Sequence, residues 1–317
     1  MLRHILVRTA NIVPLLLVIS VLVFLIVKLG PGDPIKDQFG SRMSEEAIET
    51  IRRAYGLDRP LLEQYFVWLQ SMVLDGGGTS IAVGSPVPDI ILPAFRNTLV
   101  LGVAATVLAA VLGVLIGFVA GVRNGKLADR VTMLFVQIGS NLPIYWFGLI
   151  LIWLFGVQLR WLPTTGMYDL RGDGGFLDLL RHLILPAFAA ALVSMLIIAR
   201  FVRASVIENK HSDYFRTLRS QGFTRRSLYG RHIGRNILPP IVNTTGLTIG
   251  SVISGVVFVE IIFSWPGIGS VLMSAIGGSD FPVLQSGILL VAAAFVVVNL
   301  LTDVTLDLLN PRLRHLA

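Results

Sequence analysis

The stretch TLVLGVAATVLAAVLGVLIGFVAG, residues Thr98–Gly121, carries no charged side chain in 24 residues. As a helix it would measure about 36 Å at 1.5 Å per residue, enough to cross the ~30 Å hydrocarbon core of a bilayer. Five further apolar runs surround it, at about 9–29, 131–157, 183–203, 237–262 and 283–307. The run at 131–157 contains Pro143, which should tilt or kink it. Composition points the same way: 54% of residues are hydrophobic, 14% are charged and the mean hydropathy is +0.76. Soluble domains carry roughly 25% charged residues. The expected fold is therefore all-α and integral to the membrane, with six transmembrane helices.

The distribution of Lys and Arg orients the spans. With the N-terminus inside, the segments 1–8, 122–130, 200–236 and 308–317 hold 16 of the 26 basic residues. Five of the 19 acidic residues fall on that side, counting Asp303 and Asp307 at the inner end of the last span. Basic residues next to spans favour the cytoplasmic face, so both termini are expected there. The pI near 10.1 then reflects an inner face that meets anionic headgroups, and nucleic-acid binding is not implied. Residues Arg3 to Val27 resemble a signal peptide in outline. The run is long, however, and Lys28-Leu29-Gly30-Pro31 offers no small-x-small cleavage pattern, so a retained first span is expected. With no Cys, the chain has no disulfide, thiolate nucleophile or Cys-ligated metal.

Three parts follow: 1–29 with the first span, an extracytoplasmic helical segment at 30–97, and a five-helix core at 98–317. In the outer segment Gly30-Pro31-Gly32-Asp33-Pro34 should break the first helix. Ser44 can cap a short helix that Gly56 stops. Pro60 then starts another, in which Leu61, Leu62, Tyr65, Phe66, Trp68, Leu69 and Met72 leave little polar surface. Such a helix belongs on the membrane surface or against the spans. Asp75-Gly76-Gly77-Gly78 ends it. Within the spans, Gly113, Gly117 and Gly121 form one stripe of small residues, and Gly246, Gly250 and Ser254 form another. Both allow close helix approach in lipid, within this subunit or against a second one.

Several chemistries are excluded. All five His (His4, His182, His211, His232, His315) fall in tails, loops or span ends, and no His-Glu-x-x-His occurs, so intramembrane hydrolysis lacks its groups. Ion-coupled carriers use ionisable residues at mid-depth. Here Lys28, Glu260, Asp303, Asp307, Arg200 and Arg203 lie toward span ends, and Asp303 and Asp307 are expected to pair with Arg200, Arg203 or the C-terminal arginines. Gln137, Asn141, Asn243 and Asn299 are candidates for lining a passage, or for hydrogen bonding between helices. The nearest approach to a phosphate-binding loop, Gly121-Val122-Arg123-Asn124-Gly125-Lys126-Leu127, is one residue short and lacks the hydroxyl. Energy must reach this chain from another protein.

The inner loop 204–236 is where it would arrive. It carries Lys210, Arg216, Arg219, Arg225, Arg226, Arg231 and Arg235. Ser212 to Gln221 reads as a short helix capped by Ser212 or Asp213 and closed by Gly222. A second piece, capped by Thr224, runs through Leu228, Tyr229, His232 and Ile233 into the fifth span. Tyr214, Phe215 and Leu218 give the first piece an apolar edge. Two readings stand: a basic amphipathic helix on the inner leaflet, or a rigid elbow gripped by a partner.

The loop resembles the coupling motif of bacterial ABC importer permeases. Against the general Glu-Ala-Ala-x-x-x-Gly pattern the opening triad falls on Arg216, Thr217 and Leu218, a departure. The later Ile-x-Leu-Pro positions also depart, falling on His232, Ile233, Gly234 and Arg235. Both departures match the B-type membrane subunit of the dipeptide/oligopeptide (peptide/nickel) branch. There the pattern is Asp-Tyr-x-Arg-Thr-x-Arg-x-x-Gly and Arg-His-x-x-Arg-Asn, as in Asp213–Gly222 and Arg231–Asn236 here. Gly30–Pro34, Tyr55-Gly56-Leu57-Asp58-Arg59-Pro60, Gln64-Tyr65, Phe263–Gly269, Asp280–Gln285 and Asn310-Pro311-Arg312 resemble the branch in the same order.

The resemblance implies a type I ABC importer permease fold in the bacterial cytoplasmic (inner) membrane. It implies uptake of di- or oligopeptides by alternating access; a membrane scaffold and an ion-coupled carrier are the alternatives. It further implies no enzyme activity and no cofactor in this chain, with ATP and Mg bound by two cytoplasmic ATPase domains. A related C-type permease and an external substrate-binding protein complete the expected partners. Tyr214, Phe215, Arg216, Thr217, Leu218, Arg219, Gly222, Phe223, Arg225 and Arg226 would form the ATPase-coupling elbow, its arginines meeting ATPase carboxylates or lipid headgroups. Trp265, Pro266 and Gly267 form a stiff turn, a candidate outer gate or binding-protein contact, with a membrane-interface role for Trp265 as the other reading.

Overall fold

The structure, a computed structural model, describes residues 2–29, 44, 46, 49–50, 58–169, 172 and 174–309. The Gly30–Pro34 break, the Gly56 stop, Asn310-Pro311-Arg312 and the side chains of Ser254, Asp303 and Asp307 lie outside what is described. Among the described residues the chain is helical, with a single isolated bridge between Thr79 and Pro86. In order come α1 (Leu2–Leu29), α2 (Leu61–Leu74), α3 (Val87–Val122), α4 (Leu127–Gly139) and α5 (Ile144–Leu151). A π-helical turn π1 (Ile152–Gln158), α6 (Phe176–His211), α7 (Asp213–Ser220) and a second π-helical turn π2 (Ser227–Ile233) follow. The chain continues with α8 (Gly234–Ile262), α9 (Ile268–Gly277) and α10 (Phe281–Leu309).

By length and apolarity, α3, α6 and the Phe281–Thr302 part of α10 can each cross a membrane as continuous helices. Two more candidates are broken. The chain turns by 111° between α4 and α5, at the Pro143 position that caps α5. Proline cannot donate the backbone hydrogen bond that would carry α4 onward. The second broken candidate, α8, bends by 59° between Gly250 and Gly255.

The chain forms two compact units, Leu99–Trp265 with Leu301–Ala317, and Met1–Thr98 with Pro266–Leu300. In the first, α6 is the axis: 72% of its most apolar stretch is buried. Ala187, Ala189, Ala190, Ala191 and Ala199 make it thin enough to be packed from several sides. On α3 the buried positions Leu101, Ala105, Ala109, Gly113, Gly117 and Gly121 recur every four residues. Val103, Val107, Val111 and Leu115 form an exposed row at the same spacing. A Cβ on Gly113 would lie 2.7 Å from the Met195 carbonyl oxygen, one on Gly117 would strike the Ala199 carbonyl, and one on Gly121 would lie 2.7 Å from Val206 Cβ. The stripe is therefore a close contact with α6 inside this chain, which settles where its small residues are used.

In the second unit α2 packs on α1. Phe24 meets Tyr65 edge-on with centroids 5.5 Å apart, Trp68 lies 5.6 Å from Phe24, and Ser20 Oγ and Tyr65 Oη share a 2.8 Å hydrogen bond. Leu61, Leu62, Phe66, Val67, Val73 and Leu74 remain exposed. Elsewhere in the unit, Val87, Ile91 and Ala94 pack with Ile268, Ala275 and Val283. Asp280, 4% exposed, accepts from Ser80 Oγ and from the Ile81 and Ala82 amides at 3.3 and 3.4 Å.

Candidate functional site

The elbow between α6 and α8 is built by local rules. Ser212 is extended (φ −68°, ψ 151°), and its Oγ accepts from the Phe215 amide at 3.3 Å, capping α7. At the other end Gly222 N donates to Arg219 O at 3.1 Å and Phe223 N to Leu218 O at 3.4 Å. These bonds form a Schellman closure, which needs a left-handed residue at its centre. Gly222 supplies it with φ +82°. Thr224 then caps the second arm, its Oγ1 accepting from Ser227 N at 3.4 Å.

The two arms are stapled by aromatic contacts. Tyr214 Oη and His232 Nδ1 share a hydrogen bond of 2.9 Å, and the Phe223 ring meets His232 edge-on at 5.2 Å. Beneath them Phe215 lies 5.6 Å from Tyr229. Phe215, Leu218, Leu228 and Ile233 are all buried in the core centred on α6. Two of the three residues on the apolar edge of α7 are thus spent on its own protein, and Tyr214 is half exposed beside His232. The opposite face is open: Arg216, Thr217, Arg219, Ser220, Arg225 and Arg226 are exposed. Arg216 Nη1 lies 3.4 Å from Asp213 Oδ1, both side chains largely in solvent, where an ion pair contributes little. The result is a rigid knob with a cationic surface.

The candidate passage residues Gln137, Asn141, Asn243 and Asn299 are all exposed. Asn141 Nδ2 donates to the Gln137 carbonyl at 2.7 Å within one turn. An open groove of about 720 Å³ lies beside them, walled by residues such as Leu115, Phe135, Phe147, Leu192 and Met195, with Thr132 its lone hydroxyl. At the other candidate turn, Trp265 is fully buried with its amide bonded to Glu260 O at 2.8 Å. Gly267 is buried as well, and of these three residues Pro266 is the exposed one. Among the described residues no three His, Asp or Glu side chains gather as a metal site.

One constellation escaped the sequence. The Arg203 guanidinium grips Asp129, Nε to Oδ1 at 2.6 Å and Nη2 to Oδ2 at 2.9 Å. The 74 positions between them left no local pattern to find.

Several apolar helices long enough to cross a membrane, joined to a stapled, cationic elbow, define a helical, multi-pass membrane protein. The comparisons with known proteins specify the class. Residues 113–315 match the family of the binding-protein-dependent transport system inner membrane component, and residues 1–102 match its N-terminal companion. The chain belongs to this family, as an ABC importer permease subunit of the inner membrane. It is 37% identical to the di/tripeptide transport system permease protein of Pseudomonas aeruginosa (strain UCBPP-PA14), covering 97% of each chain. It is 34% identical to the dipeptide transport system permease protein of Escherichia coli (strain K12), covering 99% of each. To the glutathione transport system permease protein of the same strain it is also 34% identical, covering 99% of this chain and all of that one.

Proposed function

We propose that this chain is the B-type half of a translocator that imports short peptides handed over by an external binding protein. Full-length likeness to permeases named for dipeptides, di/tripeptides and glutathione supports the substrate class. In this reading six helices span the membrane with both termini cytoplasmic. The segment 30–97 lies outside, where with 263–282 it meets the binding protein, and a related C-type permease forms the other half.

The observation that carries the mechanism is the burial of Phe215 and Leu218 beneath an exposed arginine face. A helix resting on the inner leaflet must offer its apolar side to lipid, and outside its own core α7 keeps only Tyr214, 49% exposed and bonded to His232. Its free face is polar and cationic, suited to carboxylates in a groove on a cytoplasmic ATPase. ATP and Mg bind to two such ATPase domains. Their closure on ATP moves α7 and opens the passage outward, and hydrolysis resets it. Gln137, Asn141, Asn243 and Asn299 are the candidate passage groups, and Pro266 is the exposed member of the outer turn.

The chain's lack of Cys supplies the test. Ser220→Cys, co-expressed with the candidate ATPases, should give a specific crosslink whose yield changes when ATP is trapped. No adduct from Ser220→Cys or from neighbouring exposed positions, with the ATPases present, would refute the coupling role.

A further inference from the structure

The inner ends of α3, α4 and α6 meet at a second ion pair. We propose that Asp129 and Arg203 are positioning residues that carry the movement of α7 into the α3–α4 hairpin; the proposal rests on α7 being the ATPase-coupling helix.

The pair is built differently from the ion pair on the elbow. Asp129 has a side chain only 4% exposed and Arg203 one 27% exposed, against 96% and 73% for Asp213 and Arg216. Two parallel N–H to oxygen bonds fix both distance and orientation. Asp129 Oδ2 also accepts from Gly125 N at 3.0 Å, and Arg203 Nη2 reaches Asn124 Oδ1 at 3.4 Å. One guanidinium thus holds the whole 124–129 turn.

The position of Arg203 gives the clamp its consequence. It lies on α6, eight residues before His211, where α6 ends and Ser212 caps α7. That is about 12 Å of continuous helix. A push on α7 is delivered along α6 to Arg203. The contact between α6 and α3 is lined by Gly113, Gly117 and Gly121. On the α3 side this face is bare backbone, against which Ile198, Val202 and Val206 of α6 pack, so the helices are held close by shape and not by a directional bond. A directional bond adds a fixed register to that packing, and the Asp129–Arg203 pair supplies one at the inner end of the stripe. Removing one partner leaves a buried charge unpaired and frees α6 to move without the hairpin.

The test uses the complete importer, with its ATPases and binding protein, in proteoliposomes. The readout is peptide transported per ATP hydrolysed. Arg203→Lys keeps the charge but loses the second bond, and Asp129→Asn loses the charge. Both should retain hydrolysis stimulated by the binding protein while the ratio falls, for Asp129→Asn by about tenfold, within the range typical of coupling between sites. The exchange Asp129→Arg with Arg203→Asp should recover part of the ratio. Asp129→Cys with Arg203→Cys, bridged by a bifunctional thiol reagent, should restore it more fully than the unbridged pair. A pair that only stabilises the fold would lower hydrolysis and transport in step, and that result overturns the proposal. So does a wild-type ratio in Asp129→Asn or Arg203→Lys. Should Asp129→Asn fail to assemble, Arg203→Lys and the bridged pair still decide. Absence of the Ser220→Cys adduct would instead refute the coupling role of α7, a result read separately from the ratio.

Discussion

The Tyr214 hydroxyl and His232 Nδ1 lie 2.9 Å apart, joined across the two arms of the elbow by a hydrogen bond. Phe223 closes on the other edge of the same imidazole at 5.2 Å. His232 is therefore the staple that fixes the angle between α7 and the chain entering α8. His232→Ala removes the hydrogen bond and both ring contacts, a loss of about 1–2 kcal/mol of elbow rigidity. Transport should fall several-fold with the amount of protein in the membrane unchanged. Tyr214→Phe, which keeps the ring, should cost less. Equal transport by wild type and His232→Ala would show that the angle is set elsewhere.

Gly222 holds φ +82° with open space around its missing Cβ. The only penalty for a side chain there is the backbone conformation itself, roughly 1–2 kcal/mol for most residues. Gly222→Val should loosen the Schellman closure and weaken both transport and the crosslink from Ser220→Cys. Gly222→Asn, which tolerates the left-handed region, should sit between. If Val and Asn behave alike, the site is limited by bulk rather than by φ.

Gly117 presents the opposite case, a helical glycine with no conformational demand and no room. A Cβ there would strike the Ala199 carbonyl and lie 2.8 Å from Val202 Cβ. Overpacking of this kind typically costs about 1–3 kcal/mol, so Gly117→Leu should lower the thermal midpoint in detergent by several degrees. Gly102→Leu on the same helix is the control, because nothing lies within 4 Å of its Cβ position. Equal midpoints for the two variants would show that α3 does not press on α6.

Much of this architecture was legible because it is local. Apolar length marked α3, α6 and α10 as spans, Pro143 marked the break between α4 and α5, and Ser212, Gly222 and Thr224 marked the elbow's caps. The direction of packing was not legible. The Gly113–Gly121 stripe reads the same whether it meets α6 or another subunit, since small residues specify closeness and not a partner. Trp265 reads from its place at a span end as an outer gate or as an interfacial anchor, and neither reading gives its full burial. That Asp129 stands against Arg203 was not legible for the same reason. Asp129, Asp303 and Asp307 all lie near an end of an apolar run, and sequence gives depth but not which helix stands opposite.

A long-range contact of the same kind yields the last expectation. Asp280 is buried where α10 begins, and its carboxylate accepts from Ser80 Oγ and the amides of Ile81 and Ala82. Ser80 in turn uses its Oγ to accept from Val83 N at 3.0 Å and its carbonyl to accept from Gly84 N at 2.9 Å. The whole turn 80–84 is organised around one acidic side chain from 200 residues away. Asp280→Ala leaves the buried Ser80 hydroxyl without its acceptor, a cost of about 1–3 kcal/mol. The turn should then open locally, while α3 and α9 remain packed through Val87, Ile91 and Ile268. Limited proteolysis of the detergent-solubilised chain should cut Asp280→Ala within 80–84 faster than wild type, with Ser80→Ala intermediate. A cleavage rate unchanged in Asp280→Ala would mean that the turn is held by its own backbone bonds, chiefly Ser80 N to Ser85 O at 2.9 Å, and that the carboxylate only fills space.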